Sequence, residues 1–418
     1  MIHWPKQQLY NLLRWSQRYT KMDMVYFFTS NVWINMGRIV ALGGGLILTT
    51  AFANLLSQEA FGTYQYVLAG ASLIGAFALN NMSGALMRAV AQGKQHVTQG
   101  VVRTMMLWSV PASIASAGIG GYYLYQDNMI LGFGFLFIAV FNIVSNGYGL
   151  AKSVIIAKGE FKNSFFINIP RSLFPIVVMV LTLFITQNVI WILFAYFFSN
   201  ALATFALYHF ALWHYRITAS DKDVVDTVRF GKQLSILGFF TLAVSQIDQL
   251  LLFHFVGAAP LAIYALALTP VREARNLLDN FLSILFPKIA AKEKEDARRS
   301  LSLRLKQMTI TAAILVCIYI ALIPLLFIFL FPKYASSILI SQVLALCILF
   351  QPRGVIDTYI IAHGEIKKRY VAILSRQAIG LVLFCSLIPL FGLWGAVWAT
   401  VLSEAAAALT LYLVYKTL

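Results

Sequence analysis

Apolar runs of about 20 residues recur from one end of this 418-residue chain to the other, and a run of that length is what a helix needs to cross the hydrocarbon of a bilayer. Neither a large soluble domain nor a Ser/Gly/Pro-rich linker interrupts the series. That pattern leaves one comfortable class, an all-α polytopic membrane protein. Composition agrees: 60% of the residues are hydrophobic and 11% are charged, where soluble domains hold about half and about a quarter. The protein therefore does its work in or across the membrane.

Twelve transmembrane spans are expected, at 28–53, 64–87, 101–125, 129–151, 165–187, 189–213, 233–256, 260–286, 308–331, 336–362, 370–390 and 395–415. Residues 1–25 set Lys6, Arg14, Arg18 and Lys21 among Trp4, Leu9, Leu12, Leu13 and Trp15. They lack the apolar region and small-residue cleavage site of a signal peptide, and read as an interfacial amphipathic segment. Cys317, Cys347 and Cys385 each lie inside an apolar run without CxxC spacing. They are expected to be small core residues, with no disulfide framework and no metal site.

Basic residues orient the spans. The connections on one side carry 25 of the 32 Lys and Arg residues, whereas the alternate connections carry only Lys333. By the positive-inside rule both termini are cytoplasmic. The net charge of +16 then faces anionic inner-leaflet lipid. Nucleic acid is not an expected partner, because the basic residues are scattered through seven segments instead of gathered on one soluble face.

The chain also repeats itself. IIAKGEFK at 155–162 follows the fourth span and IIAHGEIK at 360–367 closes the tenth. FGTYQYVLAG, with Tyr64, opens the second span, and LAIYALALTP, with Tyr264, opens the eighth. The two echoes are offset by 205 and 200 residues, six spans apart. Six is even, so the halves share one orientation and are expected to be two six-helix bundles related by a pseudo-two-fold axis along the membrane normal. The bundles are 26–213 and 233–418, joined by a cytoplasmic linker at 214–232 that holds Asp221, Asp223 and Asp226. Chance likeness between helix ends is the competing account, since Gly followed by charge is a common terminal pattern.

ANLLSQEAFGTYQYVLAGASLIG at 53–75, SQIDQLLL at 245–252, IYALALTP and the GEFK and GEIK turns resemble the bacterial polysaccharide-export flippases of the multidrug, oligosaccharidyl-lipid and polysaccharide exporter superfamily. The resemblance covers nearly the whole chain. It implies a two-bundle, twelve-helix exporter in the bacterial inner membrane. Its substrate would be an undecaprenyl-diphosphate-linked oligosaccharide, such as an O-antigen or capsule repeat, flipped from the cytoplasmic to the outer leaflet. Polysaccharide polymerase and chain-length proteins are the further partners that the resemblance implies, beside membrane lipid.

Besides Arg103, Arg171 and Arg376, nine charges fall within the spans: Arg38, Asp248, Arg272, Glu273, Arg275, Asp279, Arg353, Asp357 and Glu404. A charge at a helix centre costs about 2.5–3.5 kcal/mol on insertion scales, so each should face a cavity or a partner. Arg38 continues Asn31 and Asn35 on one helical face. Its guanidinium is a candidate for the substrate diphosphate, or else forms an interhelical salt bridge with Glu404 or Asp248. Arg272, whose only nearby acid in sequence is the adjacent Glu273, is the second phosphate candidate. Arg275 with Asp279 and Arg353 with Asp357 are spaced as i, i+4 ion pairs, and otherwise both arginines join the substrate set. Asp248, Glu273 and Glu404 are left to bind a coupling ion or to balance an arginine. Arg171 and Arg376 are expected to snorkel from the cytoplasmic ends of their spans.

Pro270 just before Arg272 and Pro352 just before Arg353 put helix breaks beside charges, as a moving gate would need. Asn142, Ser145, Asn146 and Gly149 make a polar stripe that either lines a path for sugars or joins helices. A drug or metabolite cation antiporter of the same architecture would want an unpaired carboxylate deep in the first bundle, where the sequence has Arg38 instead. An enzyme would be expected to carry carboxylates or His on a sizeable outer loop, and those loops are short. With no GxxxxGK loop, no HExxH and six scattered His, no catalytic residue and no cofactor is expected.

Overall fold

The computed structural model describes residues 24–218, 220, 222–290, 294–362 and 366–416, and among them the chain is helical with no strand. Most of the interfacial segment expected at 1–25, and the HGE of the second GEIK turn, lie outside the described residues. The helices are α1 Met24–Leu55, α2 Gln58–Ala76, α3 Met82–Ala91, α4 Thr98–Tyr125, α5 Met129–Gly149, α6 Ala151–Ala157, α7 Phe161–Ile185 and α8 Val189–His214. They continue with α9 Val224–Val244, α10 Ile247–Phe255, α11 Ala258–Ala290, α12 Lys294–Leu330, α13 Ser337–Leu344, α14 Arg353–Ala362 and α15 Ile366–Lys416.

Each of the twelve expected spans corresponds to one of these helices, or to two or three in series, or to half of α15. The second span is broken between α2 and α3, where Leu79 turns left-handed at φ 56°. The seventh divides between α9 and α10. The tenth passes from α13 through a 3₁₀ segment at Ala345–Phe350 to α14, with Pro352 just before α14. Proline lacks the N–H that would continue the ladder. The last two spans are the halves of α15, parted at Gly392 with φ 58° and ψ −129°, a conformation that only glycine adopts without strain.

Helix starts follow local rules. Ser57 precedes α2 in an extended conformation and its hydroxyl accepts from the Ala60 N–H, with Glu59 in the positive first turn. Asn188 caps α8 in the same way by accepting from Ile190. The Phe-Gly pair that follows Ser57 has a packing reason. A Cβ on Gly62 would run into the Ala258 carbonyl at the start of α11, so the two backbones approach as closely as small residues allow. Phe61 and Tyr64 flank that contact and pack on Phe52, whose ring centroid is 4.6 Å from that of Tyr64.

The chain divides into two compact units. One holds the described residues up to Thr49 with Ala78–Gly118 and Leu136–Ser235, and the other holds Thr50–Phe77, Ile119–Phe135 and the residues from Ile236 onward. The first packs Met82, Leu86, Val101, Val154, Ile155 and Leu207 at its centre. The second packs Tyr264, Ala267, Val271, Leu344, Ile348 and Val397. Large apolar side chains such as Phe329, Ile314 and Leu390 are exposed on these helices, which in a bilayer is the lipid-facing condition. Of the three cysteines only Cys347 is buried. Cys317 and Cys385 are exposed, because an apolar run facing lipid need not face a core.

The expected linker is helical from Val224 onward. Asn81 Nδ2 donates to the Leu234 carbonyl at 2.8 Å, and Arg88 and Lys232 lie over the Phe230 and Trp108 rings. Lys94 Nζ donates to Asp223 Oδ1 at 2.9 Å.

Candidate functional site

Within the second unit, α2, α10 and α11 enclose a polar cavity of about 200 Å³. Gln65 and Ser72 line it from α2, Gln246 and Gln249 from the start of α10, and Thr269 and Arg272 from α11. The spacings explain the convergence: 65 and 72 are two turns apart, while 246 and 249, like 269 and 272, are one turn apart. Arg272 is exposed, and its charge acts on Asp248. Arg272 therefore has an acid near it that its own helix does not supply. The cavity offers amide and hydroxyl groups suited to sugar hydroxyls and one guanidinium suited to a phosphate. Its volume fits one such group, not a whole oligosaccharide.

Behind this wall Asp248 is buried, as expected for a charge that needs partners. Its Oδ1 accepts from the Gln249 N–H at 2.8 Å and its Oδ2 from the Tyr264 hydroxyl at 2.8 Å. Tyr264 in turn lies 2.8 Å from Thr400 Oγ1, which is 2.9 Å from the Ala396 carbonyl. The chain Asp248, Tyr264, Thr400, Ala396 carries its protons in either direction. With an ionised Asp248 the hydroxyls point toward the carboxylate, and with a protonated one they all point toward Ala396.

Glu404 gathers three arginines. Arg275 Nη2 reaches its Oε1 at 2.8 Å and Arg376 Nη2 reaches the same oxygen at 3.0 Å. Arg353 pairs with Oε2 and also donates to the Glu404 backbone carbonyl at 3.1 Å. The i, i+4 pairs expected from spacing are not the ones formed. Asp279 instead accepts from Gln351 Nε2 at 2.7 Å, and Asp357 pairs with Arg369 at 3.0 Å. A carboxylate as buried as Glu404 must be neutralised, and long arginines reach it from three helices. Arg376 is accordingly turned toward Glu404 and does not snorkel. Glu273 stays exposed and accepts from Asn276 at 3.2 Å.

The remaining sequence candidates belong to the first unit. Arg38 and Asn35 are exposed on α1, while the side chain of Asn31 lies outside the described residues. The charges of Arg38 and Arg171 both act on Lys152. Arg171 is half-buried with its Nε lacking an acceptor. In the polar stripe, Asn146 Nδ2 donates to Asn142 Oδ1 at 2.8 Å. Gln65, Ser72, Gln246, Gln249 and Thr269 are not among the residues that the sequence singles out. Their signal is polar side chains recurring at helical spacing beside a charge.

Several solved structures that share this fold are named as transporters or a flippase. The inward-facing conformation of a multidrug resistance MATE family transporter of the MOP superfamily aligns with a TM-score of 0.65 at 12% identity, over 91% of this chain and 97% of that one. The MATE multidrug transporter DinF-BH gives 0.65 at 16%, over 94% and 95%. The lipid II flippase MurJ in an inward closed conformation gives 0.63 at 14%, over 93% and 87%. At these identities the likeness establishes the fold, the twelve-helix membrane architecture of that superfamily. No curated protein sequence matches the chain. The family model described as polysaccharide biosynthesis protein matches residues 51–331. That match spans well over half the chain, and the protein belongs to the polysaccharide biosynthesis family.

Proposed function

We propose that the protein translocates an undecaprenyl-diphosphate-linked oligosaccharide repeat from the cytoplasmic to the outer leaflet of the bacterial inner membrane by alternating access. The moving parts are the two six-helix bundles, 26–213 and 233–418, with both termini cytoplasmic. The observation that carries this reading is the polar cavity: amides, hydroxyls and the Arg272 guanidinium converge between α2, α10 and α11. Membership of the polysaccharide biosynthesis family supports a saccharide as the polar substrate. Arg38, Arg272, Arg275 and Arg353, with Asn31 and Asn35, remain the substrate-contacting set, and Arg272 is first among them because it lines the cavity.

Asp248 is the proposed coupling acid. The reversible hydroxyl chain through Tyr264 and Thr400 lets it take or release a proton without leaving a buried polar group unpaired. Glu404, held by three arginines, and the exposed Glu273 are weaker choices. A buried carboxylate beside the cavity also supports a second reading, a cation antiporter of the same superfamily.

The test is translocation of a fluorescent undecaprenyl-diphosphate oligosaccharide across proteoliposomes. Native protein should flip it under a proton or sodium gradient, and Arg272→Ala should lose at least about tenfold in rate, the value of one charged hydrogen bond. If the native protein flips nothing but exchanges an organic cation for protons, the antiporter reading replaces this one.

A further inference from the structure

The first unit holds a second cavity, of about 590 Å³, between α7 and α8. Its walls are apolar, with Phe166 and Phe174 on one side and Leu202, Ala206 and Phe210 on the other, and Arg171 is the one charged residue that lines it. The mouth is open: Phe166 is 56% exposed and Phe174 41%. Pro170 lines it, and Pro170 and Pro175 each lack the N–H that would continue the ladder of α7.

Hydrocarbon covers any apolar surface in a bilayer, so the groove by itself selects nothing. Arg171 does. Its Nε is buried without an acceptor, and an orphaned guanidinium donor beside hydrocarbon is costly until an anion reaches it. The charge of Arg171 also acts on a second cation, Lys152. A diphosphate, with oxygens that fork onto guanidinium, suits a cation so placed.

We propose that this groove holds the isoprenoid chain of a polyprenyl diphosphate, with its diphosphate on Arg171. The inference rests on the lipid-linked substrate proposed above and assigns the lipid end of that substrate a seat apart from the polar cavity.

The test uses full-length protein in proteoliposomes and a sugar-free polyprenyl diphosphate bearing a diazirine in the isoprene units next to the diphosphate. Cross-links mapped by mass spectrometry should fall on 166–174 and 202–210, and unlabelled polyprenyl diphosphate should compete for them. Arg171→Gln should lower cross-linking at least about tenfold. Ala206→Trp, which fills the groove from an exposed position and leaves Arg171 in place, should do the same. Cross-links elsewhere, cross-links unchanged in Ala206→Trp, or equal competition by phosphatidylglycerol would each overturn the proposal. Flipping that persists while cross-links map elsewhere sinks the groove alone. Cross-links on the groove with no flipping sink the exporter reading alone.

Discussion

Arg275 Nη2 lies 2.8 Å from Glu404 Oε1 across 129 positions of sequence, although Asp279 stands one helical turn from Arg275 on the same helix. The buried acid wins because removing its counter-charges would strand it in a medium that cannot solvate it. Glu404→Gln should therefore destabilise the protein by about 3–5 kcal/mol, the cost of breaking a buried pair from one side. Arg376→Ala, at the exposed edge of the cluster, should cost about 1 kcal/mol or less. Thermal unfolding in detergent measures both, and equal losses would contradict a central role for Glu404.

The Asp248–Tyr264 bond predicts a change in coupling. Tyr264→Phe removes the hydroxyl that connects a buried carboxylate to Thr400, worth about 1–3 kcal/mol. The translocation rate should fall about tenfold and its dependence on pH should change shape. Thr400→Val should have a smaller effect, since the Tyr264–Asp248 bond survives it. Rate against pH for the three proteins checks the order.

Gly62 makes a prediction about packing. Gly62→Ala would push a methyl group into the Ala258 carbonyl, forcing α2 from α11 at a cost of about 1–3 kcal/mol. The unfolding temperature should drop. Gly43→Ala, where a Cβ meets nothing within 4 Å, should leave it unchanged or raise it slightly.

Outside the membrane, Lys94 donates to Asp223 and holds its carboxyl below the usual aspartate value of about 3.9. A folded value below the unfolded one contributes stability that is present above about pH 4 and lost as pH falls through the lower folded value. Asp223→Asn should flatten the acid limb of the stability curve in that window and change little at neutral pH. Acid titration of unfolding in the two proteins tests the sign.

The twelve spans were legible in sequence because bilayer thickness sets a length that apolar runs must match. The break between α2 and α3 was not legible. It falls within the expected span 64–87, where Leu79 turns left-handed beside Asn80 and Asn81. The cavity was half legible: Arg272 announced itself as a costly charge, whereas Gln65 and Ser72 became part of a site only when α2 met α10 and α11.

Membrane class, helical architecture and the presence of intramembrane charges follow from residue chemistry alone, since each is a property of single residues or of runs exposed to a uniform solvent. Which arginine neutralises Glu404, which amides surround Arg272, and where Arg171 finds an apolar groove depend on helices distant in sequence meeting in space. Spacing along one helix orders its own faces, but only packing determines what those faces meet.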